Sequence, residues 1–220
     1  MPAEALEAEA AVRGNDITGI VLTVILIGLC WTAALVIKKK KLFSPHSVEV
    51  ARKIVHIGVS NFAFFYLYIF ETWYVPFSGL VVFACINLWI ELNTGSRRSW
   101  GTVEYPLVIA LLVLLVRFGI GSRIALVCAL LGMGYGDGLA AIVGLYAGKV
   151  HMPGSTRKTV AGSLTVFTAV FLVCCTMSGL GLGFCLLTAA LTMLAEAYTP
   201  WNLDNISVPV LIFVLTGVLF

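Results

Sequence analysis

Long apolar runs separated by short polar clusters set the rhythm of this chain. A helical bilayer span needs about 20 mostly apolar residues. Ile17 to Ile37 meets that length and stops at Lys38-Lys39-Lys40-Lys41. Further runs cover Ile54 to Phe70, Val75 to Leu92, Tyr105 to Phe118, Ile124 to Gly148, Val160 to Met177, Gly183 to Tyr198 and Ile206 to Phe220. The fourth and eighth are the shortest, so the pattern predicts an all-α, polytopic membrane domain over residues 17–220 with seven or eight transmembrane helices. Residues 1–16 read as a polar N-terminal tail, a helical turn or two outside the bilayer. Its Glu4, Glu7, Glu9 and Asp16 against one Arg13 lack the positive start of a signal peptide.

Composition agrees with that reading. The 220 residues are 60% hydrophobic and only 11% charged, whereas a soluble domain carries about a quarter charged residues. Such a chain cannot cover a water-facing surface. Its net charge of +3 is too small to point to nucleic acid. The six cysteines lie within apolar runs without CxxC spacing, as small packing residues do. Nothing in the pattern fixes an oligomeric state.

The placement of cations says more than their number. With eight spans, Lys38 to Lys41, Arg52, Lys53, Arg97, Arg98, Lys149, Arg157 and Lys158 share one side, against Arg13, Arg117 and Arg123 on the other. Cations are retained in the cytoplasm, so the tetralysine side is expected there and the N-terminus outside. Trp73, Tyr74, Trp100, Tyr105 and Trp201 fall near span ends, as an interfacial belt does. No internal repeat or low-complexity linker divides the chain, so one membrane domain is expected.

Polar groups at membrane depth are costly and usually serve function. Asp137 stands among Gly134, Gly136 and Gly138 in an apolar run, where an acid has little packing value. The following loop carries Lys149, Arg157 and Lys158, then Thr159, Gly162 and Ser163 open the next run. A cation, hydroxyls and helix N–H groups together suit a phosphate. No P-loop GxxxxGK[ST] is present. Arg52 and His56, four apart, share a helix face with Lys53 beside them. Asn87 and Glu91 are also four apart and read first as a helix-to-helix hydrogen bond. Glu196 is embedded in LTMLAEAYTP, and Asp204-Asn205 lie in the loop before Val208-Pro209. The expected topology brings Asp137, Glu196 and Asp204 to the cytoplasmic face with Lys149, Arg157 and Lys158. Carboxylates can hold Mg²⁺, and the cations offset phosphate charge.

At these residues the chain resembles the dolichol kinase and phytol kinase family, which also includes the CTP-dependent diacylglycerol kinase of fungi. The resemblance rests on ARKIVHIG (51–58), GDGLAAIVGLYAG (136–148), STRKTVAGS (155–163) and Glu196 followed by LDNISVP (203–209). It covers roughly residues 48 to 215. It implies a polytopic membrane enzyme that moves the γ-phosphoryl of CTP, with Mg²⁺, to the hydroxyl of a polyprenol, a phytol-like alcohol or diacylglycerol. Asp137 then matches the acid of the GD motif, for metal and nucleotide. Lys158, Thr159, Gly162 and Ser163 match the K-T-x-x-G-S segment at the nucleotide phosphates, with Arg157, Lys149 and Gly136 beside it. Arg52, Lys53 and His56 match the early RKxxH motif, and Glu196, Asp204 and Asn205 the late acid and DN-x-x-VP motif. Asp137, Glu196 and Asp204 are the implied metal ligands, and the base is His56 or one of the acids. One departure stands out: Ala161 occupies a position where the family commonly has an acid. Phosphatidate cytidylyltransferases carry a related GD-x-x-A-x-x-x-G segment, and CDP-lipid synthesis is the alternative reaction. A non-enzymatic transporter would need its acids to line a conduit across the bilayer. A bacterial plasma membrane, endoplasmic reticulum or plastid membrane remains as the location, the first favoured by the small size and the lack of a visible targeting segment.

Overall fold

The computed structural model describes residues 3–93, 100–155, 157–200 and 203–217, with side chains from residue 14 onward. Among these the chain is all helical: α1 (Ala3–Lys39), α2 (Ser47–Ser60), α3 (Phe62–Tyr68), α4 (Tyr74–Asn93), α5 (Gly101–Arg117), α6 (Arg123–Ala147), α7 (Val160–Met177), α8 (Leu182–Tyr198) and α9 (Asp204–Gly217). Arg13, Arg97, Arg98 and Trp201, used above for orientation and belt, lie outside the described side chains.

Two boundaries differ from the apolar runs. The tail does not end before the first span, because one continuous helix runs from Ala3 to Lys39. Nothing in its Ala- and Glu-rich opening breaks a helix, and the tail's polarity marks solvent rather than a change of backbone. The run from Ile54 to Phe70 starts earlier, at Ser47, and splits at Asn61 into α2 and α3. There the Asn61 amide donates to the carbonyls of Ile57 (3.0 Å) and Gly58 (3.1 Å), competing with the helix ladder.

Four helices among the described residues are long and apolar enough to cross a membrane: Gly14–Lys39, Tyr74–Asn93, Arg123–Ala147 and Val160–Met177. Leu182–Tyr198 and Asp204–Gly217 are apolar but shorter. The outside is greasy: Leu29, Trp89, Leu164 and Leu172 are more than half exposed. The acids Glu196 and Asp204 and the base Lys53 are buried. Apolar outside and ionic inside is the arrangement a bilayer solvent selects, and the chain is a membrane protein on that ground.

The centre is α6, packed against α2, α7 and α9 and more lightly against α3 and α5. Two of its glycines make a close seam with α2. A Cβ at Gly134 would stand 1.7 Å from Ser60 Oγ, and one at Gly138 would stand 2.3 Å from Ile57 Cγ1. No side chain fits, so α2 lies directly on the α6 backbone, as small residues permit in membranes. That seam brings Lys53 and His56 to Asp137. At the far end, the Arg123 guanidinium donates to the carbonyls of Tyr66 and Phe70 and lies 4.8 Å over the Tyr66 ring. A cation there satisfies carbonyls left over at the end of α3.

Candidate active site

Asp137 sits just past the middle of α6, where the Gly134–Gly138 seam leaves room for α2. Lys53 and His56 are three apart on the same α2 face. Lys53 Nζ donates to Asp137 Oδ2 at 2.5 Å, and His56 Nε2 lies 3.7 Å from the same oxygen. The imidazole also packs on Tyr105, with ring centroids 4.8 Å apart. His56 Nε2 is buried and has no hydrogen-bond partner.

Lys158 is held by its loop. An isolated antiparallel bridge joins His151 and Thr159, and Met152 N–H donates to Lys158 O at 2.9 Å. The turn passes through Gly154 at φ +76°, a conformation that favours glycine. Ser155 Oγ accepts from Lys158 N–H at 3.2 Å, and Tyr198 Oη donates to Pro153 O at 2.9 Å, tying the loop to α8. From this frame Lys158 Nζ donates to Glu196 Oε1 and to Asp204 Oδ2, the latter at 3.0 Å. Burial works against the Lys158 charge, but the two carboxylates outweigh it and hold the ammonium above its ordinary pKa.

The three acids therefore converge. One oxygen each from Asp137, Glu196 and Asp204 lies within 4.8 Å of the others, although they come from α6, α8 and the start of α9. Lys53 and Lys158 supply two positive charges against three negative ones. Glu196 Oε2 is buried with no hydrogen-bond partner, so one strong acceptor is left for something else. An all-oxygen, carboxylate-rich donor set suits a hard divalent cation such as Mg²⁺. The residues present fit such an ion.

Other expected residues fall around this cluster in different ways. Thr159 caps α7, its Oγ1 accepting from Gly162 N–H at 3.2 Å. Val160 N–H goes to Val150 O and Ser163 N–H to Thr159 O. These donors were expected to meet a phosphate; the cap, the bridge and the first helical bond of α7 engage them. Ser163 Oγ is buried without a partner. Gly162 lets α7 approach α6, its Cβ position being 3.0 Å from Ala140 O. Gly136 faces Val166 and Val170 of α7. Asn205 follows Asp204, whose Oδ1 accepts from Asn205 N–H at 3.1 Å, and packs against Gly101. Arg52 turns away from Asp137 and pairs with Glu49 at 2.6 Å on the exposed side of α2. Burial would raise the Glu49 carboxyl, but the Arg52 hydrogen bond and charge keep it below its ordinary value. Lys149 and Arg157 are exposed, and Arg157 borders a cavity of about 220 Å³ beside Lys158, Ser155 and Tyr198. Of the other polar pair, Asn87 bonds within its own helix to Phe83 O, while Glu91 accepts from Thr102 of α5 at 3.3 Å.

Three neighbours were not singled out as site residues in the sequence. Thr192, buried one turn before Glu196, and Glu104, close enough to repel Asp204, each carry a buried oxygen without a partner. Tyr105 was read as a belt aromatic but packs on His56. Only the i, i+4 spacing of Thr192 to Glu196 carried a signal. Glu104 reads as an ordinary acid in the first turn of a helix.

Comparison with known proteins adds one relative. A phytol kinase from Synechocystis sp. is 33% identical over 182 residues, covering 73% of this chain and 75% of the relative. The chain belongs to the dolichol kinase and phytol kinase family. Membership makes it a kinase. No family model and no solved structure matches the chain.

Proposed function

We propose that the chain transfers the γ-phosphoryl of CTP to the hydroxyl of a membrane-resident lipid alcohol, with Mg²⁺ held by Asp137, Glu196 and Asp204. The observation that supports this most is the convergence of those three acids on Lys158 in a chain related to a phytol kinase. Phosphoryl transfer asks mainly for positioning and charge stabilisation, so no activated nucleophile is required. Asp137, Glu196 and Asp204 would hold the Mg²⁺, which when bound would supply neutralisation of the charge that develops in transfer. Lys53 fixes Asp137, leaving the second carboxylate oxygen to turn toward a ligand. Lys158 is the cation best set to meet phosphate, because it is half-buried, charged and shared between two acids. The nucleotide would enter through the cavity beside Lys158 and Arg157. The acceptor hydroxyl would approach His56, whose Nε2 lacks a partner beside Asp137. In this reading the helices make seven or eight spans, α2 and α3 forming one, with the N-terminus outside and the site at the cytoplasmic face of a bacterial plasma membrane.

The test uses purified protein in detergent with Mg²⁺, labelled CTP and a panel of phytol, farnesol, long polyprenols and diacylglycerol. Lipid phosphate and CDP are expected, and Asp137→Asn should reduce turnover by at least about 100-fold. Formation of CDP-lipid and pyrophosphate from phosphatidate, with no alcohol phosphorylated, would replace the kinase by a cytidylyltransferase. ATP in place of CTP decides the donor.

A further inference from the structure

A cleft of about 280 Å³ separates the α1–α2–α3 side of the bundle from the α4–α5 side. Ile20, Ile27, Gly79, Phe83, Tyr105 and Ile109 are among its walls. Only Thr23 and Tyr105 bring polar side chains to it. Both are already engaged, the Thr23 hydroxyl donating to Gly19 O at 2.7 Å and the Tyr105 hydroxyl to Leu130 O at 3.1 Å. The lining offers no free hydrogen-bond donor to a guest and is otherwise apolar, which suits hydrocarbon. Val24 and Val82, at 63% and 56% exposed, border it on the lipid-facing side.

The cleft has a direction. One end reaches Val59 and Tyr105, and the Tyr105 ring lies 4.8 Å from that of His56, which is 3.7 Å from Asp137. From there the lining follows α4 from Ile86 back to Val75. Eleven helical steps of about 1.5 Å make a trough about 16 Å long. That length suits an extended hydrocarbon tail and exceeds what a headgroup needs. Its wall includes Gly79, where a Cβ would meet nothing within 4 Å.

We infer that this cleft is the tail site of the acceptor: a linear hydrocarbon chain lies along α4 between α1 and α5, its hydroxyl end at His56, and Gly79 keeps the trough open. The inference rests on the kinase reading for the identity of the hydroxyl end, but the tail site can be tested without turnover. Gly79→Phe projects a ring into open space, and a space on the order of 150 Å³ holds one benzene, so the ring would occupy much of the trough. Gly183→Phe is the control, since Gly183 is exposed on α8 with nothing within 4 Å of its Cβ position.

The deciding experiment is photo-cross-linking in vesicles with a 20-carbon alcohol bearing a diazirine in its tail, read by peptide mapping. Saturable labelling of 74–93, competed by unlabelled alcohol and reduced at least fivefold in Gly79→Phe but not in Gly183→Phe, is expected. Labelling spread over the lipid-facing helices, unsaturable and equal in both variants, would overturn the tail site and leave an ordinary bilayer contact. In the activity assay, the kcat/KM ratio of 20-carbon to 5-carbon alcohols should fall at least tenfold in Gly79→Phe and hold in Gly183→Phe. An unaltered ratio in Gly79→Phe would also overturn it. If no alcohol is phosphorylated while the labelling is as expected, the kinase reading fails and the hydrocarbon site stands.

Discussion

Removing the Lys53 ammonium tests whether the Asp137 carboxylate depends on it. The pair joins side chains only 6% and 13% exposed, at 2.5 Å. With an effective dielectric of about 20, the attraction at that distance is roughly 6.6 kcal/mol. Desolvation of the two ions costs a comparable amount, so the intact pair contributes little net. Lys53→Met changes that balance, because it leaves a buried carboxylate with no direct cation, a loss of about 3–5 kcal/mol. The ceiling is the work of protonating an ordinary aspartate at pH 7, about 4 kcal/mol. Lys53→Met should therefore lower the melting temperature on the order of 10 °C, measured in detergent with chelator so that no metal ion replaces the lysine. Lys53→Met/Asp137→Asn should recover most of the loss, since an unsatisfied amide costs only about 1–3 kcal/mol. The reasoning is refuted if Lys53→Met melts with the wild type, or if the double variant is no more stable than the single one.

Lys158→Met should lower kcat by about 100-fold or more, since it removes a preorganised cation from the transferred charge. Initial rates at saturating nucleotide check this, and a change confined to KM would place Lys158 in binding alone. Gly134→Ala forces a methyl into Ser60 and should destabilise by about 1–3 kcal/mol, whereas Gly28→Ala, with nothing within 4 Å, should be neutral or slightly stabilising; thermal melts of the two variants decide. Thr159→Ala removes the cap of α7 and should cost about 1 kcal/mol. Because the cap adjoins Lys158, its activity should fall too, and equal activity at equal stability would separate the cap from the site.

How much of this was legible beforehand differs from residue to residue. Asp137 and Glu196 were visible because an acid in an apolar run is costly and so conspicuous, whereas Asp204, in a loop, was visible only through the expected topology and the DN-x-x-VP motif. Lys158 was visible through its loop. Arg52 and Lys53 could not be told apart, since adjacent residues on a helix face differ by about 100° and only packing shows which side is inward. The break at Asn61 was hidden inside an apolar run, because amide competition with the helix ladder leaves no mark on hydropathy. The glycines of α6 were read together, yet Gly134 and Gly138 seat α2 while Gly136 seats α7.

Hydropathy along the chain was enough for an all-helical membrane protein, because burial in lipid is a one-dimensional demand that each apolar segment meets by itself. The ordered motifs were enough for the family. Distances between acids on α6, α8 and α9 are a different matter. They depend on how closely helices cross, and that turns on missing side chains at glycine seams and on one loop tied to α8. The lysine pairing, the engaged α7 cap and the hydrocarbon trough therefore appeared only once the helices were packed.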